Sequence, residues 1–137
     1  MRILGIDLGD ARTGFALSDP TGFLASGLGT FHSRSQTDII SKAAEYCREY
    51  GVSRIILGLP KNMNNSLGFR AEKTIAFQEI LKEMLPDIPV ILWDERCSTM
   101  SAISVMNETN TRGKKRKNTI DELAAVISLQ SYLDSIR

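Results

Sequence analysis

Residues 2–19 read RILGIDLGDARTGFALSD, and the fold turns on how this stretch divides. Its first part, RILGIDL at 2–8, is a short apolar run closed by Gly9-Asp10, the pattern of a strand ending in a turn. TGFALSD at 13–19 makes a second strand, and Pro20-Thr21-Gly22 turns the chain again. Residues 23–31, FLASGLGTF, form a weaker third strand, because glycine inside a strand costs conformational entropy. Three strands joined by short turns make an antiparallel meander.

Beyond the meander the apolar period changes. From Ser35 to Tyr50, Ile39, Ile40, Ala43, Cys47 and Tyr50 fall at helical spacing, with Ser35 as N-cap and Gly51 as the stop. RIILG at 54–58 is a compact buried strand, followed by a polar loop from Pro60 to Gly68. A helix over 70–85 clusters Phe77, Ile80, Leu81, Met84 and Leu85, and Pro86 and Pro89 bracket the gap before strand 90–93, VILW. A short helix covers 99–107. The stretch 108–118, ETNTRGKKRKN, has no apolar anchor and reads as a mobile loop. The last helix runs from about Ile120 to Ile136, opened by a capping box of Thr119 and Glu122. Strands 54–58 and 90–93 are apolar throughout, which suits parallel strands covered on both faces and entered by right-handed crossovers. The expected class is therefore α/β: a five-stranded mixed sheet, three antiparallel strands then two parallel, flanked by helices, in one domain over 1–137.

Composition narrows the function. With 137 residues, 42% apolar and 24% charged, the balance is that of an ordinary globular chain. A net charge of +1 excludes a chain-wide attraction for polyanions, so any nucleic-acid site must come from local clustering. Cys47 and Cys97 form no C-x-x-C pair and, with no signal peptide, read as free thiols in a reducing, cytoplasmic setting. The apolar runs are too short to span a bilayer. His32 is the one histidine, which argues against zinc, and nothing resembles a Ser-His-Asp triad.

The informative residues are carboxylates in costly places. Asp7 lies inside the first apolar strand and shares a face with Ile3 and Gly5. An ionised acid there is expensive unless something pairs with it, the alternative being a cap on the Gly9-Asp10 turn. Glu95 stands just past strand 90–93, where ligand sites of parallel α/β sheets collect, although a surface pair with Arg96 is the competing account. Asp121 sits in the first turn of the last helix, where the macrodipole alone favours an acid. Ala125 and Ser128 add a small-residue stripe that would let that end of the helix approach the sheet. Three acids from distant parts of the chain would repel if gathered without a cation, and an all-oxygen set suits Mg²⁺ or Mn²⁺.

Four segments together resemble the YqgF family, also called RuvX-like or Holliday-junction-resolvase-like proteins, within the ribonuclease-H-like superfamily. They are Gly5-Ile-Asp-Leu-Gly9 with Arg12-Thr-Gly14; Gly58-Leu-Pro60, Asn62-Met63 and Ser66-Leu-Gly68-Phe-Arg70-Ala71-Glu72; Asp94-Glu-Arg96 with Ser98-Thr99; and Asp121 with Ala124-Ala125 and Leu129-Gln-Ser-Tyr132-Leu133-Asp134. The resemblance implies a metal site on Asp7, Glu95 and Asp121. It implies maturation of the 5′ end of the small-subunit ribosomal RNA precursor, with Holliday junction cleavage as the older suggestion. Leu8 and Asp10 depart from the Pro and Thr common in the family, Asn65 from Gly, and Asn118-Thr119 from Gly-Lys.

The expected chemistry is phosphodiester hydrolysis with two divalent ions on the three acids. Substrate grip falls to the basic run Arg112, Lys114, Lys115, Arg116 and Lys117, to Lys61, Asn62 and Arg70 of the 60–70 loop, and to Arg12 and Arg96. A solvated linker and an ordinary polar connection are the bland accounts of the first two. The partner is nucleic acid, precursor rRNA or branched DNA, with no membrane. Symmetric junction cleavage would need a dimer, and monomer and homodimer both remain open. Asp7-x-Gly9 also resembles the phosphate loop of actin and sugar-kinase ATPases, which need two such domains. A non-catalytic RNA-binding assembly factor would use the same basic run.

Overall fold

A computed structural model describes residues 2–59, 68–94 and 113–136, with Phe69 and residues 113–121 described by their backbone alone. Its strands are β1 (Arg2–Asp7), β2 (Arg12–Ser18), β3 (Ala25–His32), β4 (Val52–Leu59) and β5 (Val90–Asp94). Its described helices are α1 (Gln36–Tyr50), α2 (Phe69–Met84) and α3 (Gly113–Ser135). The strands form one sheet in the order β3-β2-β1-β4-β5. β1 pairs antiparallel with β2, and β2 with β3, whereas β1–β4 and β4–β5 are parallel. The five-stranded mixed sheet expected from the sequence is the one observed.

Local chemistry sets most boundaries. Ser35 caps α1 by accepting from the Asp38 amide, and Gly51 ends it at φ 63°, a left-handed conformation that glycine adopts without a Cβ penalty. The third strand begins at Ala25 rather than at 23, because Asp19 captures the intervening segment. Its Oδ1 accepts from the amides of Phe23 (2.8 Å) and Leu24 (3.2 Å), and its Oδ2 from Thr21 Oγ1 (2.6 Å). The Thr21 hydroxyl and then these amides hold the Asp19 carboxyl below its ordinary range.

The last helix departs most from expectation. It starts at Gly113, so Lys114, Lys115, Arg116 and Lys117 are helical, and Thr119 lies inside the helix instead of capping it. Lysine and arginine are good helix formers, and an apolar-anchored helix propagates into such a run at little cost. Polarity alone reads as a loop, because a solvated helical run shows no apolar period. The short helix at 99–107, the loop at 60–67 and Arg112 lie outside the described residues.

The sheet has two covered faces. On one, Leu4, Ile6, Phe15, Leu17, Ile55 and Leu57 meet Ile39, Ile40 and Cys47 of α1 and Phe77 and Leu81 of α2. On the other, Ile3, Ala16 and Ile56 meet Ala125, Leu129, Tyr132 and Leu133 of α3. Tyr132 ties α3 to the parallel half of the sheet, since its hydroxyl accepts from Arg54 Nη1 at 2.6 Å and its ring meets Trp93 edge-on at 5.4 Å.

Candidate nuclease site at the carboxyl edge of the sheet

Asp7 closes β1, half-buried, opposite Gly14 of β2. Gly14, directly across, contributes no side chain against the carboxylate. Strand alternation puts Asp7 on the same face as Ile3 and Gly5, the face covered by α3.

The register of α3 decides what else reaches this point. A Cβ on Gly5 would stand 3.0 Å from Leu129 Cβ and 3.3 Å from the Ala125 carbonyl, so glycine permits close approach here. Gln130 Oε1 accepts from the Ala25 amide at 2.9 Å, level with the start of β1 through the pairings Ala25–Ser18 and Leu17–Leu4. Glu122 lies against Gly27, whose partners Ala16 and Gly5 stand further along. Thus α3 runs antiparallel to β1, and its early turns lie toward the carboxyl end of that strand. Asp121 is one turn before Ala125, so the helix carries its backbone toward the edge where Asp7 stands. The small residue at 125 and the buried Ser128 allow the approach expected of them.

Glu95 lies outside the described residues. It follows Asp94, the last residue of β5, which pairs with Leu59 of the parallel β4. Asp121 has a described backbone only. Among the described residues, no group of three or more His, Cys, Asp or Glu is gathered to hold a metal. Asp7, a half-buried oxygen donor, suits a hard divalent cation.

Of the residues expected to bind nucleic acid, Arg12 and Arg70 come together. They line a cleft of about 330 Å³ with Gly9, Asp10 and Ala11. Arg70 Nη2 donates to the Leu8 carbonyl at 3.3 Å. A Cβ on Gly9 would collide with the Arg12 carbonyl, so the tight β1–β2 turn requires glycine there. Lys73 was missed by the sequence reading: its Nζ reaches Asp10 Oδ1 at 3.3 Å. The available signal was its spacing, since Arg70 and Lys73 share one face of α2 at i, i+3. Lys61, Asn62, Arg96 and Arg112 lie outside the described residues. Lys114, Lys115, Arg116 and Lys117 occupy four successive helical positions, which step about 100° each around an axis.

No described helix is long and apolar enough to cross a membrane. Cys47 is a free, buried thiol, and burial pushes its pKa up to about 11. Cys97 lies outside the described residues.

Comparison with known proteins places this geometry in a lineage. A protein of Clostridium novyi (strain NT) named "Putative pre-16S rRNA nuclease" is 48% identical over 136 residues, covering 99% of this chain and 100% of that protein. One of the same name from Staphylococcus haemolyticus (strain JCSC1435) is 46% identical over 138 residues, covering 99% and 97%. Among solved structures, RuvC of T. thermophilus in complex with a Holliday junction substrate superposes with a TM-score of 0.59 at 13% identity, covering 99% of this chain and 96% of that one. Fowlpox virus resolvase with its junction DNA gives 0.57 at 18%, covering 99% of each. At such identities the likeness is one of fold, the ribonuclease-H-like arrangement of the resolvases. A family model described as "RuvX: Holliday junction resolvase" matches residues 1–135, and the chain belongs to the RuvX family.

Proposed function

We propose that this RuvX-family nuclease, a single domain over residues 1–137, hydrolyses phosphodiester bonds in the precursor of 16S ribosomal RNA, using Mg²⁺ or Mn²⁺ held by Asp7, Glu95 and Asp121. The observation that carries the reading is Asp7: an acid ending an apolar parallel strand, on the face covered by α3, at the edge toward which α3 carries Asp121. The relatives' shared name supports the RNA substrate. When bound, the ions polarise the phosphate and lower the pKa of the attacking water.

The chain's own contribution is position and charge. Asp7 is rigid because β2 and β4 flank its strand on both sides. Cations at the β1–β2 turn and on α2 offset the charge of an approaching polyanion. Membership of a family described by junction resolution favours branched DNA as the second substrate. Work on ribosomal precursors would place the protein in the cytoplasm.

The test presents the full-length chain, in Mn²⁺, with a pre-16S rRNA transcript and a four-way DNA junction side by side. Cleavage of the transcript is expected, and Asp7→Asn should lower its rate about a thousandfold or more while leaving RNA affinity and melting temperature unchanged. A native chain that binds the transcript and cuts neither substrate with Mg²⁺ or Mn²⁺ would be a binding factor, and the proposal would fall.

A further inference from the structure

The cleft at the β1–β2 turn stands at the same end of the sheet as Asp7. Leu8 belongs to the core shared with α1 and α2, and its carbonyl is held by Arg70 from the first turn of α2. Asp7, one residue earlier, lies on the α3 face. Arg12, two residues before the Gly14 that pairs with Asp7, shares the Asp7 face, so the turn carries cations from both sides of this end of the sheet.

We propose that this cleft is a subsite for one backbone phosphate of the nucleic acid, flanking the scissile one, gripped by Arg12, Arg70 and Lys73 and weakened by Asp10. The inference rests on the nuclease reading of the same sheet edge and adds the path of the substrate: over the Gly9-Asp10-Ala11 turn at that edge. Asp7 and Asp10 are three residues apart, on the order of 10 Å at full extension and less across a turn. The phosphate held is therefore next, or next but one, to the scissile position.

Three features point to a phosphate. The cleft, at about 330 Å³, has room for a phosphodiester, and two arginines line it, the residue whose guanidinium matches phosphate oxygens in pairs. Arg70 has five N–H donors, and the Leu8 carbonyl takes one while fixing the plane of the group. Gly68, the N-cap of α2, supplies no side-chain acceptor to the first-turn amides, so the positive end of that helix stands beside the cleft.

Asp10 opposes all this. Its exposed carboxylate occupies the Lys73 ammonium that an incoming phosphate would use, and it repels that phosphate at short range. The chain thereby holds its own substrate loosely at a point where stronger binding is one substitution away.

The experiment is fluorescence anisotropy of a labelled RNA hairpin with a single-stranded 5′ extension, in EDTA, over a range of potassium chloride concentrations. Arg70→Ala should weaken binding about tenfold and reduce the slope of log affinity against log salt by roughly one. Arg70→Lys should recover part of the loss. Asp10→Asn should tighten binding about threefold. Lys73→Met should cost little in the native chain and several-fold in the Asp10→Asn background, where the ammonium is released. Unchanged affinity and slope in an Arg70→Ala variant that melts like the native chain would overturn the subsite. If that variant does not fold, absence of tightening in the exposed Asp10→Asn variant overturns it instead. Manganese-dependent cleavage that is lost in Asp7→Asn while Arg70→Ala binds normally would refute the subsite alone. Weakened binding by Arg70→Ala without cleavage under any metal would refute the nuclease alone.

Discussion

The two faces of the sheet are built from different residues. Against α1 and α2 the contacts are bulky: Phe15, Leu17, Ile39, Phe77 and Leu81, each buried. Against α3 they are small: Gly5 and Ala16 in the sheet face Ala125 of the helix, and Gly27 makes room for Glu122. Bulk buries apolar area and stabilises the fold. Smallness forgoes that area and brings the helix axis nearer the strands. The face that forgoes it is the one bearing Asp7 and approached by the turn that carries Asp121. One side of the sheet therefore supplies stability, and the other supplies proximity.

If that division is right, damage to the two faces should have separable consequences. The largest loss of stability is expected from Phe77→Ala, which empties the fully buried centre of the bulky face. About 3–5 kcal/mol should be lost in urea unfolding, while the cleavage rate per folded molecule stays near native. A fall in that rate beyond the folded fraction would couple the faces and erase the distinction.

Next comes pH. The folded-state pKa of Cys47, about 11, lies above its ordinary value of 9.0 because the thiol is buried in the same face. The folded chain thus binds the proton more tightly than the unfolded chain. The resulting stability is complete below pH 9 and is lost as pH rises from 9 toward 11, by on the order of 2 kcal/mol. Tyr46 shifts in the same direction, chiefly through burial, so the thiol's share is read as the difference between the native chain and Cys47→Ala. Parallel alkaline melting curves for the two would show that Cys47 is not buried as described.

The smallest stability effect belongs to the close-packed face. Gly5→Ala places a methyl 3.0 Å from Leu129 Cβ, which a shift of a few tenths of an ångström in α3 would relieve. Roughly 1 kcal/mol of stability should be lost, yet cleavage should fall about tenfold, because the helix that carries Asp121 is displaced. Equal tolerance of Gly5→Ala in stability and in rate would sever proximity from function.

Much of this was legible in the amino-acid order, and the exceptions are instructive. Strand β1 announced itself by its apolar run, and α1 by a serine and a glycine whose backbone roles are local. Asp7 stood out because water-seeking chemistry inside an apolar strand needs a reason. The start of α3 was hidden because periodicity registers buried faces, and Lys114 to Lys117 contribute none; helix propensity carried the element where pattern was silent. The Asp10–Lys73 pair was hidden for another reason. It joins residues 63 positions apart, and such a pairing depends on where the turn and α2 meet in space.

One feature of the outer strand bears on how the molecule keeps to itself. β3 is a sheet edge, and an extended edge invites another chain to hydrogen-bond along it. Its pairing with β2 slips between Phe15 and Ala16, leaving Leu28 as an extra residue, and Gly29 follows at φ 123°. The kink breaks the straight ladder of amides and carbonyls on the solvent side, so a stray strand finds no continuous template there. Protection from amyloid-like stacking is thus written into two consecutive residues on the rim farthest from β5.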